Sequence, residues 1–260
     1  MNEDLAQWLR FAQRLALDAA AQLQQAGPVG AVQEKAAGDW FSELDAAVEL
    51  RLRQRIAEVY PAHGFLGEEG GAQGTPGAQD LVWVVDPIDG SMNYLRGLPH
   101  YAVSLALVQD GEPLVGCVVD PVRGELFSAA RGMGAQLNGK TLQVAAPARL
   151  INAVAATVFP KPQADFLPSY LEQLGRVLGA VAGARRSGSM ALDLAYLAAG
   201  RLDLLWEQGM GAWDAAAGVL LVREAGGEVF TLDGLPWMAS QQIAAAVPGL
   251  SADWRALLLG

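Results

Sequence analysis

The chain has 260 residues, 52% of them hydrophobic, and carries a formal net charge of −10 with a pI of about 4.7, enough to build one large domain or two closely packed halves. That charge argues against a nucleic-acid partner, because the densest basic spots are only Arg51, Arg53, Arg55 and the pair Arg185, Arg186. The acidic start at Glu3 and Asp4, the lack of any apolar run of roughly 18 residues and a single cysteine, Cys117, set in an apolar run predict a soluble cytoplasmic protein with no membrane segment, disulfide or zinc cluster.

Leu5, Trp8, Leu9, Ala12, Leu15, Ala16, Ala19 and Leu23 recur at helical spacing, and Gly27-Pro28 ends the pattern. A second helix is expected from Ser42 to Tyr60, with Leu44, Val48, Leu52, Ile56 and Val59 on one face and Ser42 and Asp45 as its start signal. Gly70 to Gln79 reads as a mobile surface loop. The period then becomes that of strands, at Leu81 to Val85, at Tyr101 to Val108, and through the Asp110-Gly111 hairpin turn at Leu114 to Val119.

After a further turn at Asn138-Gly139 come a strand near Ala153 to Val158 and helices from Pro168 to Val181 and from Met190 to Ala199. A strand at Leu202 to Trp206, a helix from Trp213 to Ala225 and a strand at Glu228 to Leu232 follow. No internal repeat is present. The order predicts an α+β front half, residues 1–145, and an α/β back half, residues 146–260, sharing one interface within a single domain spanning 1–260.

The chemistry concentrates in acidic turns. In Trp83-Val84-Val85-Asp86-Pro87-Ile88-Asp89-Gly90-Ser91 a buried strand runs into two carboxylates three residues apart, with Pro87 fixing one backbone torsion between them and Gly90 permitting a close approach or an unusual torsion after them. Carboxylates and a carbonyl, here that of Ile88, in one tight turn suit a hard cation such as magnesium. The same tetrad also describes an Asx-type turn whose acids satisfy backbone amides. Glu68 and Glu69 follow a short apolar pair, as ligands or as a solvated loop. Asp214 opens an apolar helix, as a ligand or as a complement to the helix dipole. Asp45 belongs either to the helix cap or to the site. His63, His100, Trp40 and Trp83 are expected to pack or lie at the surface, with Tyr94 and Trp206 open between packing and site.

In this order the segments resemble the inositol monophosphatase family of metal-dependent, lithium-sensitive phosphatases, over nearly the whole chain. The resemblance rests on D-P-I-D-G-S at Asp86 to Ser91, continued by Asn93 and Tyr94, and on W-D-A-A-A-G at Trp213 to Gly218. Gly67-Glu68-Glu69, the spacing of Asp39, Ser42 and Asp45, the run Arg185 to Asp193 and the position of Glu207 also match.

The resemblance implies a layered α-β-α-β-α sandwich of the inositol monophosphatase and fructose-1,6-bisphosphatase type, two or three Mg²⁺ per active site, and a homodimer. It implies that Glu68, Asp86 and the Ile88 carbonyl bind one ion, that Asp86, Asp89 and Asp214 bind a second, and that Asp45 and Ser91 orient the attacking water, with Glu68 assisting catalysis. Substrate contacts fall, by the same likeness, to Gly90, Ser91, Gly188, Ser189, Met190, Glu207 and Asp214. Lys35 lies near the position of a family lysine, serine at 91 replaces the commoner threonine, and Met190 stands where a small residue is usual, which implies a narrowed pocket.

The implied reaction is hydrolysis of a small phosphorylated metabolite, inositol monophosphate or a related polyol or sugar phosphate, by metal-activated water. The alternatives are another family substrate (histidinol phosphate, fructose 1,6-bisphosphate, a nucleotide or NADP phosphate) or a regulatory binding protein that keeps the fold. Retention of all four metal carboxylates argues against the last, since idle clustered acids repel one another.

Overall fold

A computed structural model describes residues 2–27, 32–36, 39–73, 80–161 and 163–260. Its first half runs α1 (Asn2–Ala26), β1 (Val32–Ala36), β2 (Asp39–Ser42), α2 (Glu43–Val59), β3 (Gly64–Gly67), β4 (Gly71–Gln73), β5 (Val82–Asp89), α3 (Ser91–Leu95), β6 (Ala102–Gln109), β7 (Glu112–Asp120), β8 (Glu125–Ala130), β9 (Ala135–Leu137) and β10 (Lys140–Thr141). The second half runs β11 (Val154–Ala156), α4 (Leu167–Ala180), β12 (Gly183–Arg185), α5 (Met190–Ala198), β13 (Leu204–Gln208), α6 (Ala212–Glu224), β14 (Glu228–Thr231), β15 (Gln242–Ala246) and α7 (Ser251–Leu259).

Beside the β1-β2 pair lie two larger sheets, one of eight strands in the order β10-β9-β8-β7-β6-β5-β3-β4 and one of five in the order β12-β11-β13-β15-β14. Three cores join them into five layers. Apolar faces of α1 and α2, through Leu15, Leu23, Leu52 and Ile56, cover one face of the large sheet at Trp83, Leu105 and Cys117. Helices α5 and α6 fill the space between the sheets, packing Leu192, Leu194, Val219 and Leu221 against Val84, Ala106 and Phe127 on one side and Leu205, Ile243 and Ala245 on the other. The outer face of the small sheet meets α4 and α7 around Tyr170, Trp206 and Trp254. This is the expected α-β-α-β-α sandwich, and no described helix is long and apolar enough to cross a membrane.

The large sheet is covered on both faces, so its central strands are apolar on both. β6 is buried at every residue but its last, which is why its sequence lacks the alternation of a half-exposed strand. The hairpin turns read from Asp110-Gly111 and Asn138-Gly139 place both residues of each pair at positive φ, 52° and 75° in the first and 49° and 80° in the second, the geometry two-residue hairpins favour.

Some details differ from expectation. Val59 is 45% exposed rather than part of the buried face of α2, because the helix ends there before Pro61. Within the expected loop of 70–79, Gly71–Gln73 forms β4, paired with β3, and 74–79 lie outside the described residues. The side chains of Lys35, Asp39, Trp40 and Ser42 also lie outside them, so the cap pairing of Ser42 with Asp45 belongs there too. His63 accepts a hydrogen bond from the Trp83 indole at 3.1 Å and stacks on Tyr60, while His100 packs edge-on against Tyr196. Trp206 is fully buried between Tyr170 and Trp254, and Tyr94 is buried with its hydroxyl donating to the backbone carbonyls of α1 and its end at Leu23 and Gly27. All of these serve packing.

The large sheet and the central helices come to backbone contact where α6 crosses β7. A methyl group added at Gly116 would lie 2.9 Å from the backbone oxygen of Ala217, an atom that cannot move without shifting the helix that carries Asp214. Gly116→Ala is expected to destabilise the protein by about 1–3 kcal/mol through overpacking, read as a lower midpoint in urea unfolding; an unchanged midpoint would show that the layers have slack there.

Candidate active site

The acidic pair in β5 is brought together by an irregularity in pairing. Asp86 stands opposite Ser104 and Asp89 opposite Ala102 on β6, so three steps on one strand match two on the other. In a regular strand, residues three apart point to opposite faces; the extra residue reverses that parity and turns both carboxylates to the same side. Pro87 sits within this bulge, where the missing amide proton interrupts no ladder bond. Asp86 also accepts a hydrogen bond from the Ile88 amide at 2.9 Å, so the Asx-type turn weighed from sequence is present as well.

The third acid comes from the first turn of α6. Asp214 accepts from the Gly211 amide at 2.7 Å, and one oxygen from each of Asp86, Asp89 and Asp214 lies within 4.8 Å of the others. Glu68, at the end of β3, lines the same cavity and its charge acts on Asp86, although it is not a member of that tight triplet. These four residues and Ile88 share a cavity of about 780 Å³ with Gly90, Ser91, Gly188, Met190 and Glu207.

Burial and crowding together disfavour ionisation of this cluster. Asp86 is held well above the usual carboxylate range, first by burial and then by Glu68, Asp89 and Asp214. Asp89 is pushed up to about 6 by burial, against the stabilising bonds from Ser189 and the Ala191 and Met190 amides. Asp214 is pushed up to about 7 by burial and by Asp89, with Lys161 opposing. Acids so placed are stable as anions only beside positive charge, and an all-oxygen donor set suits a hard divalent cation. The residues therefore fit the metal expected from sequence.

Behind the triplet, the Ser91 hydroxyl lies 2.8 Å from both the Asp45 carboxylate and the Ile88 carbonyl. Asp45 is fully buried, one helical turn before Glu49 on α2. Glu49 went unnoticed as a site element in the sequence. It accepts hydrogen bonds from the Glu69 and Gly70 amides at 2.8 and 2.7 Å, gripping the turn that presents Glu68, and its carboxylate fills the space a side chain at Gly67 would take. The i, i+4 spacing of Asp45 and Glu49 was the available signal, since it puts both on one face of the helix.

The second loop of the site is tied to the first. Gly90 and Gly188 adopt φ of 93° and 90°, and a methyl group on Gly90 would lie 3.1 Å from the Gly188 oxygen. Asn93 donates from its amide to the His100 and Ser187 carbonyls at 2.7 and 2.8 Å. Ser189 is wholly buried and directs its hydroxyl to Asp89 at 2.5 Å, where the Ala191 amide joins it at 2.7 Å; its side chain thus supports the acid rather than facing the cavity. Met190 is 3% exposed and packs in the central core while forming part of the cavity wall. Glu207 is buried and accepts from the Val158 amide at 2.8 Å. The sequence reading also passed over Lys161 and Arg186 as site groups, and both line the cavity.

A five-layer α+β sandwich with three convergent acids, two buried and one half-buried, next to a hydroxyl–carboxylate pair defines the class: a layered sandwich protein whose cluster could bind metal. The chain belongs to the inositol monophosphatase family, whose profile matches residues 4–257. It is 47% identical over 197 residues to the inositol-1-monophosphatase of Rhizobium meliloti, covering 75% of this chain and 73% of that one. It is 46% identical over 206 residues to a Pseudomonas aeruginosa protein named Nus factor SuhB, covering 78% and 76%. The solved inositol monophosphatase from Anabaena superposes with a TM-score of 0.87 at 34% identity, over 98% of this chain and 96% of that one.

An acid whose pKa is higher folded than unfolded favours folding when protonated, and that contribution is lost as pH rises through the folded value. With Asp89 raised from 3.8 to about 6 and Asp214 from 3.8 to about 7, metal-free stability is expected to fall as pH rises from 3.8 through about 7 and then to level off. The stabilisation by added Mg²⁺ is expected to be larger at pH 8 than at pH 5.5. Asp89→Asn should raise the metal-free melting temperature at pH 8 and shrink the Mg²⁺ increment. Differential scanning fluorimetry with and without chelator checks both, and an increment independent of pH and of this substitution would contradict the assignment.

Proposed function

We propose that the protein is a magnesium-dependent phosphomonoesterase acting on a small phosphorylated metabolite, inositol monophosphate or a related polyol or sugar phosphate. The observation that carries this reading is the convergence of Asp86, Asp89 and Asp214 beside the Ser91–Asp45 pair. Divalent cations held by these acids, with Glu68 and the Ile88 carbonyl completing the set, would supply positive charge for the phosphoryl oxygens and lower the pKa of a water.

The chain's own groups then orient and deprotonate. The Ser91 hydroxyl has one proton and two acceptors at 2.8 Å, the Asp45 carboxylate and the Ile88 carbonyl. When it donates to Asp45, its lone pairs can accept from a water on the cavity side, so a proton leaving that water passes through Ser91 to Asp45. The backbone at Gly90 and Gly188, bare of side chains where it lines the cavity, offers close approach to the phosphate. Glu207, held by the Val158 amide, would accept hydrogen bonds from leaving-group hydroxyls, and Met190 would limit the room for them.

The Pseudomonas relative bears the name of a Nus factor, which favours a second, compatible reading: a protein-binding role on the outer surface of the same fold. The net charge of −10 still weighs against direct contact with a nucleic-acid backbone. We extend the reading to a cytoplasmic homodimer, for which size-exclusion chromatography with light scattering is the test.

In a phosphate-release assay across phosphorylated metabolites, activity should require Mg²⁺ and be lost in Asp89→Asn. Ser91→Ala should lower kcat by about 10²- to 10⁴-fold with a smaller effect on KM, and Ser91→Thr, which keeps the hydroxyl, should retain activity. An alanine variant within a few-fold of the parent would mean that another group positions the water. No Mg²⁺-dependent release from any compound would leave the protein-binding reading.

A further inference from the structure

Among the described residues three arginines lie over aromatic rings, and two of them also have polar partners. Arg201, over Tyr196 and Phe127, pairs with Glu125. Arg255, over Phe230, donates to the Thr231 carbonyl. The third is Arg186, whose guanidinium carbon lies 5.4 Å from the centre of the Phe159 ring. Among the described residues Arg186 makes no hydrogen bond and no ion pair, so its five N–H donors remain available.

The location of this group is informative. Arg186 lines the cavity, and its Nη1 lies 3.3 Å from where a side-chain carbon at Gly188 would be, beside the turn that abuts Gly90. Phe159, 51% exposed, gives it an apolar shelf on the same wall. Lys161, two residues further on, lines the cavity and acts electrostatically on Asp214. A cavity of about 780 Å³ is near the large end for a small-molecule site, with room beyond a single phosphoryl group. The site thus has two poles: an acid cluster that would take its positive charge from cations, and an exposed guanidinium whose charge is felt by Asp193 but which forms no ion pair among the described residues. A monophosphate with a neutral leaving group satisfies only the first.

We propose that Arg186, on its Phe159 shelf, is a subsite for a second oxyanion on the leaving group, so that the substrate class is a phosphate monoester bearing a further phosphate or carboxylate. A planar fork of donors matches either group bidentately. The proposal rests on the phosphatase reading above and specifies its substrate.

The test uses three ligands differing at one carbon: glucose 1-phosphate, glucose 1,6-bisphosphate and glucuronic acid 1-phosphate. Phosphate release with Mg²⁺ gives kcat/KM for each, and calorimetric binding with Ca²⁺ in place of Mg²⁺ gives affinity independently of turnover. The parent should prefer one or both dianionic-plus-anionic ligands over glucose 1-phosphate; the phosphate and carboxylate arms show which oxyanion fits. In Arg186→Gln that preference should fall about tenfold or more, the scale of a lost charge-assisted hydrogen bond, and Arg186→Lys should retain part of it. Arg186 is exposed, and circular dichroism with a melting curve confirms folding of both variants. A selectivity ratio unchanged in Arg186→Gln, or a parent with no preference in either assay, overturns the subsite. A parent that binds with the expected preference but hydrolyses none of the three, nor any compound of the wider panel, overturns the phosphatase reading and leaves the subsite standing.

Discussion

The rest of the site is organised around an electrostatic conflict: three carboxylates, two buried on β5 and one half-buried on α6, hold oxygens within 4.8 Å of one another. Left alone, such a cluster is destabilising, because each acid has lost its hydration and faces two like charges. The fold nevertheless fixes them in place. A bulge in β5 turns Asp86 and Asp89 to one side, the first turn of α6 supplies Asp214, and the start of α5 holds Asp89 through the Ser189 hydroxyl and the Ala191 amide. A set of anions held this firmly has a physical explanation when cations share the site, and that requirement is what links structure to chemistry here.

The surrounding layers read as supports for that arrangement. Helix α2 sends two carboxylates inward one turn apart, Asp45 to the Ser91 hydroxyl and Glu49 to the turn bearing Glu68. One rigid element thereby sets the position of both the water-orienting group and an additional acid. Asn93 joins the Asp86–Ser91 turn to the loop carrying Gly188, and Gly116 lets α6 settle onto β7 at backbone contact. Site precision thus derives from packing of helix on sheet, since every acid of the triplet is carried by a strand or helix of the scaffold, two of them across a bulge in β5.

Much of this was legible in the sequence. Hydrophobic period gave α1, α2, α4, α5 and α6 to within a residue or two at most ends, because each buries one continuous face. The acids stood out by their setting at the ends of apolar runs, and their register identified the family. Less visible were elements lacking a pattern of their own. β15, Gln-Ile-Ala-Ala-Ala, is short and alanine-rich, and only its place between β13 and β14 makes it a strand. β12 has three residues, and α7 is held by Trp254 in the third core. Glu49 and Arg186 were missed for a different reason: a charged residue on a helix or loop reads as solvated until tertiary structure shows what it faces.

The central claim is that the acid cluster is completed by divalent cations, and anomalous diffraction from crystals grown with Mn²⁺ tests it most directly. The account predicts two or three strong peaks among Glu68, Asp86, Asp89 and Asp214, with oxygens of these residues and the Ile88 carbonyl in the coordination spheres. The absence of any peak there at saturating Mn²⁺, with the carboxylates still converging, would contradict it.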